Sequence, residues 1–85
     1  MSTIYWTEKA FKQLRKVKDT PTRKTIYKET QILTDFPNCQ NVKHLKNHKY
    51  GYRLRIGEWR VFFEFDGVVK VVSIEEVKKR NEHTY

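Results

Sequence analysis

The sequence predicts an α+β fold with the element order β-α-α-β-β-β, in which a two-helix hairpin packs on one face of a small antiparallel sheet. Two stretches in the second half of the chain alternate apolar and charged side chains with a period of two, as strands do. Two stretches in the first half space apolar residues three and four apart, as amphipathic helices do. With 85 residues, we expect one domain, residues 1–85, around a single core.

The two alternating stretches are residues 52–56 and 59–65, which we expect to pair as antiparallel strands. In the first strand Arg53 and Arg55 alternate with apolar residues, so that one face joins the core and the other carries cations. In the second strand Arg60 falls on the charged face. The pattern therefore predicts three arginines on one surface of the sheet.

The elements before these strands follow from local signals. Residues 4–6 are β-branched and aromatic and predict an opening strand. Thr7 is a suitable N-cap for an amphipathic helix over residues 8–18. A second helix is expected over residues 21–35, capped by Thr20, because its apolar residues keep helical spacing until Pro37.

Residues 37–49 show no clear period and predict an irregular connector. His44 and His48 are four residues apart, but the loop context and the lack of a third ligand favour no metal site. Three lysines of the connector are expected either to contact a phosphate backbone or to be simply solvated: Lys43, Lys46 and Lys49.

The second half of the sheet is predicted from its turns. Gly57 and Glu58 form a tight connection between the two alternating strands, and Asp66-Gly67 predicts a type I′ hairpin turn. A last, nearly continuous apolar strand over residues 68–74 should lie inside the sheet. Phe62 is the apolar exception on the charged face. It is either covered by the helices or available as a stacking platform, and we expect the helices to cover it.

Charge and composition narrow the function. Eighteen Lys and Arg against ten Asp and Glu give a net charge of +8, which most often indicates a polyanionic partner such as nucleic acid. The same charge can also serve solubility or complement an acidic protein partner. The single Cys39 has no disulfide partner within the chain, which favours a reducing cytoplasm. No apolar run is long enough to cross a membrane, and the start is polar rather than signal-like.

The order of elements, the segment YRLRIG at residues 52–57, the segment WRVFFE at residues 59–64 and the basic C-terminal segment ending in Tyr85 resemble the RelE/ParE toxin superfamily of bacterial toxin–antitoxin systems. The resemblance spans the whole chain. It implies a RelE-like toxin: a small cytoplasmic endoribonuclease, commonly ribosome-dependent, that cleaves mRNA without a cofactor. It also implies a cognate antitoxin, a small acidic RelB-like protein, that silences the toxin.

The resemblance also implies site residues. The basic residues of the first alternating strand in RelE-type members match Arg53 and Arg55, and the arginine of the next strand matches Arg60. A C-terminal arginine matches Arg80, and a tyrosine near the end matches Tyr85, although the spacing between the last two differs from that of the best-known members. Two positions that are lysine in those members are arginine here, which keeps the charge but argues against a lysine base.

The chemistry of metal-free RNA cleavage assigns further roles. The reaction needs a base for the ribose 2′-proton, cations around the phosphorane and an acid for the leaving 5′-oxygen. Arginine stays protonated, so the four arginines are candidates for orienting phosphate and stabilising charge. His83 and Tyr85 are the candidates for proton transfer, with Glu82 a weaker base; the bland alternative is a frayed terminus. Lys78 and Lys79 are expected to bind RNA.

Three classes of function stay open at this stage. A ribonuclease toxin predicts that the strand arginines and the tail converge on one concavity. A ParE-like inhibitor of DNA gyrase would use the same fold against a protein target, and His83 and Tyr85 would then be dispensable. An inert module would bind only an antitoxin or nucleic acid. One scaffold hosts different activities, so the fold alone does not choose among them.

Overall fold

The computed structural model describes residues 1–80. Its five strands form one sheet in the order β1-β5-β4-β3-β2. Two helices pack on one face of that sheet, and the predicted α+β fold class is confirmed. The elements are β1 Thr3–Trp6, α1 Glu8–Arg15, α2 Thr20–Thr30, a 3₁₀ helix Gln31–Asp35, β2 Val42–His44, β3 Tyr52–Ile56, β4 Trp59–Asp66 and β5 Val71–Lys79.

Side-chain caps fix the start of each α-helix. Thr7 Oγ1 accepts the Ala10 N–H at 3.1 Å and donates to the Ile74 carbonyl at 2.8 Å, which ties the first turn of α1 to β5. Asp19, rather than the expected Thr20, caps α2 by accepting the Thr22 N–H at 3.1 Å. The helix begins one residue earlier than expected, at Thr20, so the N-cap position falls on Asp19.

The helices are shorter than their apolar spacing suggested. The first ends at Arg15 instead of residue 18. The single helix expected over residues 21–35 divides, because α2 ends at Thr30 and the chain tightens into the 3₁₀ helix. Apolar spacing alone does not distinguish 3.6 from 3.0 residues per turn over so short a segment. Within residues 1–80, no helix is both long and apolar enough to cross a membrane.

The sheet is mixed rather than antiparallel throughout. The two alternating strands pair antiparallel as predicted, with Ile56 opposite Trp59 across a two-residue turn in which Gly57 has a φ of +58°. The opening strand β1, however, pairs parallel with β5, Thr3 lying opposite Val71. The connector also contributes the short strand β2, antiparallel to β3, where no regular structure was expected.

The hairpin between β4 and β5 corrects two predictions. The type I′ turn at Asp66-Gly67 is wrong: four residues, 67–70, join the strands, and Asp66 Oδ1 accepts the N–H groups of Val68 and Val69 at 2.9 and 3.3 Å. The strand expected over residues 68–74 starts only at Val71, and Val68 before it is 91% exposed. It then runs on to Lys79, which carries the chain alongside β4 to its far end.

The core lies between the helices and the sheet. Leu54 of β3 and Val61 and Phe63 of β4 are buried, as the alternation predicted. The helices contribute Ala10, Leu14 and Ile26 among others. The opposite face of the sheet is therefore left to carry the polar residues.

Candidate functional site

The sheet face opposite the helices, here called the open face, carries a row of basic side chains set side by side by the strand register. Arg55 of β3 pairs with Arg60 of β4, and Arg60 pairs with Lys78 of β5. On the other side of β3, Arg53 pairs with Lys43 of β2. Directly paired residues project from the same face, so four strands contribute cations to one surface.

Three of these side chains, those of Arg53, Arg60 and Lys78, help to line a concavity of about 290 Å³, here called the cationic pocket. Its wall is basic on one part and apolar or aromatic on the other. The lining residues are Leu45, His48, Arg53, Arg60, Phe62, Lys78, Lys79 and Arg80. The structure thus brings together three of the four predicted arginines, while Arg55 lies exposed outside the lining.

Arg60 sits at the electrostatic centre of this group. Its Nη1 donates to the carbonyl oxygens of Gly57 and Trp59 at 3.3 and 3.2 Å, which holds the guanidinium over the β3–β4 turn. Burial, and then repulsion from Arg53, Arg55 and Arg80, lowers the pKa of Arg60. An arginine nevertheless keeps its charge, so an anion entering the pocket would relieve this repulsion.

Arg53 and Arg80 flank Arg60 in different ways. The Nε of Arg53 is buried and has no hydrogen-bond partner among the residues that the structure describes. A buried donor without a partner is costly, and an anionic oxygen could satisfy it. Arg80 follows β5, and its backbone N–H donates to the Glu58 carbonyl at 2.6 Å, which fixes the chain beside the same turn.

The aromatic part of the pocket is built on Phe62, for which the sequence left a stacking platform as the alternative to cover by the helices. The His48 ring stacks on Phe62 with centroids 5.1 Å apart and an interplanar angle of 14°. Its Nδ1 accepts the Tyr50 N–H at 3.0 Å, which leaves Nε2 to carry the ring proton. The expectation that the helices cover Phe62 is wrong, because Phe62 lies on the open face and the connector covers it.

A folded loop holds this aromatic part in place. The Leu45 N–H donates to the Gly51 carbonyl at 2.8 Å, and the Gly51 N–H donates to Glu64 Oε2 at 3.0 Å. A Cβ at Gly51 would lie 2.7 Å from Glu64 Oε1, so a side chain at this position would push the carboxylate away. The loop is therefore pinned to β4 by a contact that only glycine makes without a shift.

A buried carboxylate, that of Glu76, contacts residues of the pocket and of the loop. Glu76 of β5 accepts the Tyr50 hydroxyl at 2.9 Å and lies 3.4 Å from Lys9 Nζ and 3.6 Å from Lys78 Nζ. Burial favours the neutral acid, but the Tyr50 hydrogen bond and the two lysines outweigh it and lower the pKa of Glu76. Glu76 thus stays ionised and links Tyr50 to the pocket residue Lys78.

Two of these residues were missed by sequence reasoning. His48 was weighed only as a metal ligand with His44, whereas residues 1–80 contain no group of three His, Cys, Asp or Glu side chains arranged to hold a metal. Glu76 lies beyond the last strand expected from the sequence, residues 68–74, whereas the structure places it within β5. The sequence signal for His48 was Phe62, because an aromatic residue among charges on the open face indicates an aromatic neighbour.

The remaining predicted residues fall into two groups. The connector lysines are exposed around the pocket without lining it: Lys43, Lys46 and Lys49. The proposed proton-transfer residues lie outside the described residues: Glu82, His83 and Tyr85.

Comparison with known families agrees with this architecture. The sequence model of the ParE toxin of type II toxin–antitoxin systems, parDE, matches residues 4–83. The chain belongs to this family. The resemblance to the RelE/ParE toxin superfamily is thereby confirmed. No curated protein matches the chain.

Solved RelE structures share the fold of this ParE-family chain. RelE in the archaeal RelE–RelB complex from Pyrococcus horikoshii OT3 is 21% identical, with a TM-score of 0.78 over 96% of this chain and 98% of that one. The RelBE2 toxin–antitoxin complex from Mycobacterium tuberculosis matches at 21% identity and a TM-score of 0.79, over 93% and 98% of the two chains. The isolated E. coli RelE toxin gives 19% and 0.77, over 98% and 88%.

Proposed function

We propose that this ParE-family toxin is a RelE-type endoribonuclease that cleaves mRNA on the ribosome and so inhibits translation in the cytoplasm, residues 1–85 acting as one domain. The observation that carries the proposal is the cationic pocket, where Arg53, Arg60 and Arg80 surround an aromatic wall. A site for phosphate alone would not need that wall.

The arginines supply the electrostatic part of the reaction. Attack of the ribose 2′-oxygen builds negative charge on a phosphorane. This charge offsets the repulsion among the neighbouring guanidinium groups, and the transition state is stabilised as a result. Arg60 is fixed over its turn by two hydrogen bonds, so it acts with little reorganisation, and Arg53 lines the same pocket. Lys78 and Lys79, with the connector lysines, extend the field along the RNA backbone.

Proton transfer is proposed for the tail. His83 has the imidazole suited to a general base or acid near neutral pH, and Tyr85 has a hydroxyl that can protonate the leaving oxygen. Tyr85→Phe keeps the ring and removes only that hydroxyl. A large fall in cleavage with unchanged ribosome binding supports acid–base work, whereas full activity assigns Tyr85 to stacking at most.

A cognate antitoxin is the proposed partner, since the solved structures similar to this chain include RelE–RelB complexes. The helical hairpin presents a groove of about 340 Å³ beside Phe11 and Tyr27, which are 48% and 50% exposed. Arg15, Arg23 and Lys24 line the same groove. A groove lined by both aromatic and basic side chains fits an acidic amphipathic helix. Failure to co-purify with the product of any adjacent small reading frame would contradict this partner.

A second candidate function is inhibition of DNA gyrase, and the match to the ParE toxin model favours it. This activity needs a protein-binding surface and no chemistry. It predicts inhibition of gyrase supercoiling by the purified chain and full inhibition after loss of the tail residues His83 and Tyr85.

One set of assays separates the two functions. Transcript cleavage is measured with and without ribosomes, and gyrase supercoiling is measured in parallel, for the wild type and Arg60→Ala. We expect ribosome-dependent cleavage that falls about a hundredfold or more in Arg60→Ala, the scale of losing one preorganised oxyanion donor. Supercoiling inhibition without cleavage would overturn the ribonuclease proposal, and a folded Arg60→Ala protein with unchanged cleavage would remove Arg60 from it.

A further inference from the structure

We propose that His48 and Phe62 form a stacking subsite for one unpaired nucleobase, while the basic wall of the cationic pocket takes the adjoining phosphate. The subsite rests on the proposed function for its substrate class, RNA. It gives a role to His48, which has none in the reaction proposed for the arginines and the tail.

The composition of the pocket matches a nucleotide unit. Leu45, His48 and Phe62 form the apolar and aromatic part of its lining, and the remaining lining residues are all Arg or Lys. A nucleotide likewise joins a flat, weakly polar base to an anionic phosphate. Aromatic platforms beside a cationic track are the arrangement by which proteins hold single-stranded nucleic acid.

The platform is ordered before any ligand binds. One face of the His48 imidazole rests on Phe62, and its Nδ1 is held by the Tyr50 N–H, so the ring loses little freedom when a base stacks on it. Tyr50 is in turn held by Glu76. His48 is an exposed residue, which leaves its outer side accessible to a base.

No acidic side chain competes for the phosphate within the lining. Glu76, whose neighbour Lys78 lies 3.6 Å away and lines the pocket, is already engaged by the Tyr50 hydroxyl and by Lys9 and Lys78. The positive field of the pocket therefore acts on the ligand. Since Lys46 and Lys49 flank His48 in the sequence and are exposed, the field continues past the platform.

A substitution can remove the ring alone. His48→Asn keeps an oxygen where Nδ1 accepts the Tyr50 N–H, while it deletes the stacking surface. His44→Asn is the matched control: it is the same change in the same connector, but His44 packs against Tyr52, whose side chain belongs to the helix-covered face. His48→Trp restores an aromatic surface without the imidazole.

The probes are two fluorescein-labelled hexauridylates, one with a central 2-aminopurine and one with an abasic ribose at that position. We expect the wild type to bind the base-containing RNA about tenfold more tightly than the abasic one, and to quench 2-aminopurine emission. His48→Asn should lose that preference and the quenching, His48→Trp should recover both, and His44→Asn should match the wild type. A wild type without preference for the base, or an unchanged preference in His48→Asn, would overturn the subsite.

Cleavage on mRNA-programmed ribosomes, measured in parallel, separates the subsite from the proposed function. Arg60-dependent cleavage with no base preference means that the subsite is wrong and the ribonuclease stands. A base preference that depends on His48, without cleavage, means that the subsite stands and the ribonuclease proposal is wrong. Absence of both cleavage and RNA binding in the wild type overturns both.

Discussion

The two faces of the sheet use neighbouring residues of the same strands for opposite purposes. On the helix-covered face Phe63 is fully buried and packs at 5.4 Å from the Phe36 ring. One residue earlier, Phe62 lies partly exposed on the open face among cations. The buried face gains its stability from apolar area, whereas the open face keeps like charges together at an energetic cost. Such a cost is typical of a surface selected for binding rather than for folding.

Truncation of the two phenylalanines should show the largest difference between the two faces. Phe63→Ala should lower the free energy of unfolding by about 3 to 5 kcal/mol, because it leaves a cavity in the core. Phe62→Ala should cost about 1 to 2 kcal/mol, because only part of its area is removed from water. Urea titration of both variants measures the difference; equal losses would mean that the open face is as structural as the core.

Removal of one pocket cation should act on activity rather than stability. We expect Arg53→Ala to reduce mRNA cleavage about a hundredfold, because a preorganised donor to the phosphorane is lost. Arg15→Ala, which removes an arginine from the helical hairpin, serves as the control and should cleave normally. Cleavage rates on programmed ribosomes, together with urea midpoints, provide the readout, and a similar loss in both variants would indicate a general effect of charge.

Glu76 belongs to the open face, but its carboxylate contributes to the stability of the fold. Because its surroundings lower the pKa of Glu76 below the ordinary 4.5, the ionised carboxylate stabilises the fold above about pH 4.5, and this stabilisation is lost as the pH falls through the lower folded-state value. Glu76→Gln should therefore be about 1 kcal/mol less stable than the wild type at pH 7. The difference should shrink in acid.

Glu75→Gln is the control for this experiment, since Glu75 lies one residue away and accepts the Ser73 hydroxyl instead. Urea unfolding between pH 3 and pH 8 compares the three proteins. A Glu76→Gln deficit that stays constant across this range would show that the network acts through packing and not through charge.

The smallest expected effect is that of a chelator. The arginines already supply the positive charge that the transition state requires, so cleavage should persist in EDTA at concentrations that leave the ribosomes intact, and the product should carry a cyclic phosphate. Product analysis by mass and by 3′-end chemistry tests this. Loss of cleavage that added Mg²⁺ or Zn²⁺ restores would assign the charge stabilisation to a metal.

The sequence by itself determined the two alternating strands, the buried face of Leu54, Val61 and Phe63, and the sharing of one surface by Arg53, Arg55 and Arg60. Each of these follows from a period of two within a single segment and from a two-residue turn. Such local relations need no knowledge of the rest of the chain. The same reasoning placed the helices, although not their ends.

Only the tertiary structure decided the parallel pairing of β1 with β5, the extension of β5 to Lys79, and the stacking of His48 on Phe62. The first depends on the pairing of residue 3 with residue 71, and the second on the pairing of β5 with β4 as far as Lys79 opposite Trp59. The third depends on a connector folding over a strand fourteen positions later. Contacts between distant segments leave no periodic trace in either segment, because their free energy arises only when the fold brings them together.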